Sequence, residues 1–204
     1  MAYNVYLLNG LPISAKIGRT DLTQTQLTSI SSTLSTYFGQ IVNAHDAKGG
    51  ATKYGSASVT WISGATTVAP NELLIYVMPV GATVATAGKL QQGNPPPTED
   101  GLTNLNLNNS SASEVYWTSS DLMAIANLMF HEAMHNKLGL NDAKLHVKDG
   151  LAAATVSAAT PLTPSNINDM AAALDKPRPQ WTAGIKLITD AAAMDDNDPA
   201  KGLF

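Results

Sequence analysis

An α/β (α+β) fold follows from three features of the sequence. Four short runs rich in β-branched and aromatic residues, at 3–10, 58–63, 72–80 and 113–117, have strand length and turn residues at their ends. Two longer stretches, 20–42 and 120–138, carry apolar residues at helical spacing. The two kinds interleave in the order strand, helix, strands, central helix, C-terminal helices, as a layered sheet-and-helix domain requires.

The first strand, YNVYLLNG, ends at Asn9-Gly10. Leu22, Leu27, Ile30, Leu34, Phe38 and Ile41 then recur at three-, four- and five-residue steps, predicting an amphipathic helix that starts at Thr20 or Asp21. Its many serines and threonines lower helix propensity. AHDAKGGATKYGSA reads as a glycine-rich loop, which places His45 and Asp46 in solvent rather than at a second metal site. SVTWIS and ELLIYVMPV are the next strands. Residues 81–112, rich in Pro, Gly, Asn and Ser, read as a long loop, and a role at a cleft rim is the favoured reading of 91–112.

After the strand SEVYW, Thr118, Ser119 or Ser120 can cap the central helix, with Asp121 in its first turn. One stripe carries Leu122, Ile125, Ala126, Met129 and Ala133, and the opposite side Ala124, Leu128, His131 and His135. A helix apolar on both sides is largely buried. Gly139 ends it, with Leu140 as the accompanying hydrophobic contact. Downstream, Ser165 caps NINDMAAAL, Pro177-Arg178-Pro179 breaks the chain, and QWTAGIKLITDAAAM reads as another helix. Residues 1–194 are expected to form a single domain and 195–204 a flexible acidic tail.

Composition narrows the function classes. The 204 residues are 44% hydrophobic with mean hydropathy −0.03, enough for a sizeable core. A net charge of −4, a pI near 5.4 and no basic run argue against nucleic acid or an anionic membrane as partner. Cysteine is absent, so any metal must be held by histidine, carboxylate or water. No basic start followed by an apolar run marks a secretory signal, and no apolar stretch is long enough to span a bilayer. The expectation is a soluble monomer, cytoplasmic or exported by a non-classical route.

The chemistry concentrates in NLMFHEAMHNKLGLNDAKLH (127–146). Residues i and i+4 share one helix face, so His131 and His135 can aim imidazoles at one point while Glu132 flanks it. Two neutral imidazoles can then hold a zinc ion, with the glutamate as general base for a metal-activated water. With the His and Glu content of this chain, the pattern H-E-x-x-H arises by chance roughly 0.002 times. The bland reading, two core histidines bonded to backbone carbonyls beside a buried glutamate, leaves polar groups costly to bury. A catalytic zinc takes three protein ligands. No glutamate follows Glu132, so the third is His146 or Asp142. His146 is favoured because imidazole suits zinc and its longer connection allows the chain to turn back.

His131-Glu132-Ala133-Met134-His135, then Gly139 and Asp142, resembles the extended motif H-E-x-x-H-x-x-G-x-x-H/D of the metzincin clan of zinc peptidases. The glycine stands one residue late, Leu138 holding the family's place, while Asp142 keeps the glycine-to-ligand spacing. The resemblance covers residues 1–175 in outline. It implies a twisted, mostly parallel sheet with an antiparallel edge strand, packed on a long N-terminal helix and the active-site helix. It also implies a Zn²⁺ cofactor and a peptide or protein substrate lying along an edge strand, here 72–80 or 113–117. A methionine-bearing turn beneath the metal would fall at 150–158, which has no methionine; Met170 belongs to a helical stripe with Ile167 and Leu174 and reads as core. No tyrosine follows the motif. The expected function is a zinc-dependent metallopeptidase. The alternatives are a zinc-binding structural or interaction protein without turnover and a metal hydrolase acting on a non-peptide amide.

Overall fold

The computed structural model describes residues 1–9, 22–62, 66–78, 82–84, 90–92, 100–103, 113–177 and 185–187. The expected acidic tail at 195–204 lies outside them. Strands β1 (Ala2–Asn9), β2 (Ser56–Trp61), β4 (Leu73–Met78), β7 (Gly101–Thr103) and β8 (Ser113–Tyr116) form a five-stranded sheet in the order β2-β1-β4-β8-β7. All neighbours in it are parallel except β7, which runs antiparallel to β8 at the edge. The mostly parallel sheet with an antiparallel edge strand is therefore present. Two small antiparallel pairs join β3 (Thr66–Val68) to β9 (Ile185–Leu187) and β5 (Ala82–Val84) to β6 (Leu90–Gln92).

The long helix α1 (Gln24–Ala47) begins at Thr23, not at Thr20 or Asp21. Thr23 accepts from the Gln26 amide and Gln26 accepts from the Thr23 amide, a reciprocal cap that satisfies two free donors. Hydroxyls of Ser31, Thr33 and Thr36 donate to carbonyls four residues back, so these residues stay helical while facing outward. Ile30, Leu34, Phe38, Ile41 and Val42 make the buried stripe. The helix runs five residues beyond the expected end and takes in His45 and Asp46, correcting the loop reading. His45 is buried, its Nδ1 against the Ala171 carbonyl and its Nε2 against the Thr52 carbonyl and Asp175. Asp46 accepts from the amides of Tyr54 and Gly55. Both tie the helix end to neighbouring chain.

Tyr3, Val5, Leu7, Leu73, Ile75, Val77 and Val115 alternate along the strands and meet the helices in one core. Residues 73–77 are buried on both faces, which is why LLIYV reads as an unbroken apolar run. The central helix α2 (Leu122–Leu138) crosses this core, Phe130 packing 5.5 Å from the rings of both Tyr37 and Phe38. Asp121 caps it, accepting from the Met123 and Ala124 amides, in place of the expected hydroxyl residues. Gly139 closes it in the left-handed region, φ 65°.

Beyond it lie the single-turn helix α3 (Asp142–Leu145), a 3₁₀ turn (Gly150–Ala152) and helix α4 (Pro164–Ala173). The cap of α4 is Thr163, not Ser165, and Met170 is fully buried in the core. Two further expectations need correction. Within the segment 180–194 read as a helix, Ile185–Leu187 is a strand, because its apolar, β-compatible residues find a partner in β3. Strands 73–78 and 113–116 are interior; among the described residues the edges are Ser56–Trp61 and, inside the segment read as loop, Gly101–Thr103. Three residues flanked by Pro, Gly and Asn carry no period that could announce a strand.

Candidate metal centre

α2 places His131 and His135 one turn apart on one side, and both are buried. His146 reaches them because α3 folds the chain back. Its amide donates to the Asp142 carbonyl (2.8 Å), and fully buried Leu145 anchors the turn in the core. That single turn absorbs the displaced glycine. The three Nε2 atoms converge at 3.1 Å (His131–His135), 3.2 Å (His135–His146) and 3.2 Å (His131–His146). Among the described residues this is the one set of three or more potential ligands brought together.

The protons decide what such a triangle means. His131 Nδ1 lies 2.8 Å from the Leu151 carbonyl oxygen and His135 Nδ1 2.6 Å from that of Leu140. A carbonyl only accepts, so both rings donate from Nδ1, and a neutral imidazole has just one proton. Burial, opposed by the Leu151 hydrogen bond and reinforced by the neighbouring imidazoles, lowers the pKa of His131 from 6.5 to about 4. Burial also lowers that of His135. Both are neutral near pH 7, and their Nε2 atoms face each other as bare lone pairs. A cation between them turns repulsion into coordination. Tetrahedral zinc with Zn–N bonds near 2.0–2.1 Å sets nitrogens about 3.3 Å apart, close to the observed triangle. The donor set fits a divalent metal, and the two backbone carbonyls orient the rings as outer partners do in metal sites.

Asp142, the alternative ligand, is largely exposed. Its Oδ1 lies 3.8 Å from His135 Nε2 and 4.0 Å from His146 Nε2, outside the triangle. His146 is the member of the set open to solvent, its side chain 26% exposed.

Glu132 is buried against the edge strand. Thr103 Oγ1 contacts Glu132 Oε2 at 2.7 Å and the Glu132 carbonyl at 2.9 Å, and Ser113 Oγ donates to the same carbonyl at 3.0 Å. A Cβ on Gly101 would stand 2.6 Å from Glu132 Oε1 and 2.8 Å from its Cγ, so any side chain there would make the carboxylate shift. Gly101, Thr103 and Ser113 escaped sequence reasoning, since Gly and Thr in a stretch read as loop, and Ser at the start of the strand SEVYW, carry no signal of their own. So did Leu140 and Leu151, which act through main-chain oxygens. The segment where the resemblance expects a methionine turn contributes the Leu151 carbonyl instead. Trp117 is partly buried against the core.

The arrangement of His131, Glu132, His135 and His146 on an α/β fold is typical of zinc metallopeptidase active sites. It is consistent with the active site of a zinc-dependent metalloenzyme and can chelate a metal ion. Comparison with family models, curated proteins and solved structures finds no match to this chain.

Proposed function

We propose that the protein is a zinc-dependent metallopeptidase in which His131, His135 and His146 hold Zn²⁺ and Glu132 is the general base. The observation that carries this reading is the pair of Nε2 atoms 3.1 Å apart, with His146 Nε2 completing the triangle. When bound, zinc supplies a Lewis acid that polarises the scissile carbonyl and acidifies water. Glu132 takes the proton of the attacking water and returns it to the leaving amine. The hydrogen bond from Thr103 holds the carboxylate against β7, and Gly101 gives it space. β7 pairs on one side with β8 and with no other strand among the described residues, which favours an extended peptide as substrate beside it. No described helix is long and apolar enough to cross a membrane, which is compatible with a substrate met in solution.

The burial of Glu132 favours, as a second reading, a metal-binding protein without turnover in which the carboxylate only braces β7. A mixed peptide library separates the two. Cleavage by the zinc-loaded wild type, abolished in Glu132→Gln and by a chelator, supports the peptidase; no cleavage by a wild type that binds zinc supports the second reading.

A further inference from the structure

The turn that orients His131 is itself held from behind. Asn166 is fully buried on α4 and uses its side-chain amide three times. Its Oδ1 accepts from the Leu151 amide at 2.9 Å and the Thr163 amide at 3.3 Å, and its Nδ2 donates to the Asp149 carbonyl at 3.0 Å. Between those partners Gly150 takes φ 59°. A Cβ there would meet Thr163 Cγ2 at 2.5 Å, Asn166 Oδ1 at 2.6 Å and the Pro161 carbonyl at 2.7 Å. The Leu151 side chain is fully buried as well. Leu151 is thus fixed by its amide and its side chain, and its remaining polar group, the carbonyl, lies 2.8 Å from His131 Nδ1.

We propose that Asn166 is a positioning residue of the metal centre: by clamping Asp149 and Leu151 it aims the Leu151 carbonyl at His131 and so keeps the His131 Nε2 lone pair free for the metal. The inference rests on the metal-binding reading above. An imidazole that loses its carbonyl partner at Nδ1 can carry its proton on Nε2 instead, where it blocks coordination. Asn166→Asp keeps the side-chain size but sets an oxygen against the Asp149 carbonyl in place of a donor. Gly150→Ala disturbs the same turn through its φ and its contacts.

The test measures zinc affinity by competition with a chelator, melting temperature without metal, and the His131 ring ¹⁵N shifts. Val5→Ala, a buried change on β1, serves as a control for lost stability. In the metal-free wild type, His131 should show the Nδ1-protonated tautomer. Asn166→Asp should lose about tenfold or more in zinc affinity, the size of outer-partner effects, with growth of the Nε2-protonated form. The control should bind zinc as the wild type does even where it melts as low. If Asn166→Asp does not fold, Gly150→Ala carries the affinity test, and the wild-type tautomer stands as a readout of its own. Unchanged affinity in a folded turn variant, an equal loss in Val5→Ala, or an Nε2-protonated His131 in the wild type overturns the proposal. A wild type that binds no zinc overturns the metal-binding reading itself, whereas the other outcomes leave that reading in place.

Discussion

His131 and His135 bring their Nε2 atoms within 3.1 Å of each other, while each ring turns Nδ1, and with it the single proton of a neutral imidazole, toward a main-chain oxygen. Two acceptors so close repel unless a cation, or a proton on His146 Nε2 at 3.2 Å from both, joins them. The first prediction separates the candidate third ligands. His146→Ala is expected to weaken zinc binding by more than about 100-fold, and Asp142→Ala by no more than about threefold. Calorimetric titration decides, and a larger loss for Asp142→Ala would make the aspartate the ligand.

Metal binding should also register as stability. Zinc at 100 times its dissociation constant adds about 2.7 kcal/mol to a site absent from the unfolded chain. For a protein of this length that raises Tm by about 5–11 °C. A thermal scan with and without chelator measures it, and superimposed curves would exclude a preformed site.

The pH dependence of the metal-free protein has a definite sign. Folding lowers the pKa of His131 from 6.5 to about 4, so between these values the unfolded chain binds more protons than the folded one. Stability therefore falls as pH drops through this window, by about 3 kcal/mol from His131 in full, with His135 adding in the same direction. Urea unfolding at pH 7.5, 5.5 and 4.5 should show the decline, and His131→Gln should flatten it. Wild-type stability that is level or rises toward pH 4.5 would contradict the burial of neutral imidazoles.

Thr103 separates acid–base work from metal binding. Thr103→Val removes the hydrogen bond to Glu132 Oε2 and keeps the shape, so kcat on a cleaved peptide should fall about tenfold, in keeping with a lost bond to a charged group. Zinc affinity should stay unchanged, since the hydrogen bonds of Thr103 run to Glu132 and Ser113. Gly101→Ala should act in the same direction by displacing the carboxylate. A variant that loses zinc but not kcat would sink this assignment.

The pattern of residues in the chain was enough to announce the layered fold, the central helix with its glycine stop, and the pairing of His131 with His135. These are local consequences of helical and strand periodicity, which a linear sequence records directly. The same periodicity misread short elements. β7 and β9 exist because neighbouring strands offer hydrogen-bond partners, and the last five residues of α1 are tied down where the His45 ring packs against the Ala171 and Thr52 carbonyls.

Tertiary structure alone decided between His146 and Asp142 as the member of the triangle, since both lie within reach in sequence. A one-turn helix anchored by Leu145 swings the imidazole inward and leaves the carboxylate in solvent. It also decided which acceptors the ring Nδ1 atoms face, because the Leu140 and Leu151 carbonyls are main-chain geometry that no residue letter encodes. Residue types supplied the candidate ligands; long-range packing determined that their Nε2 atoms converge.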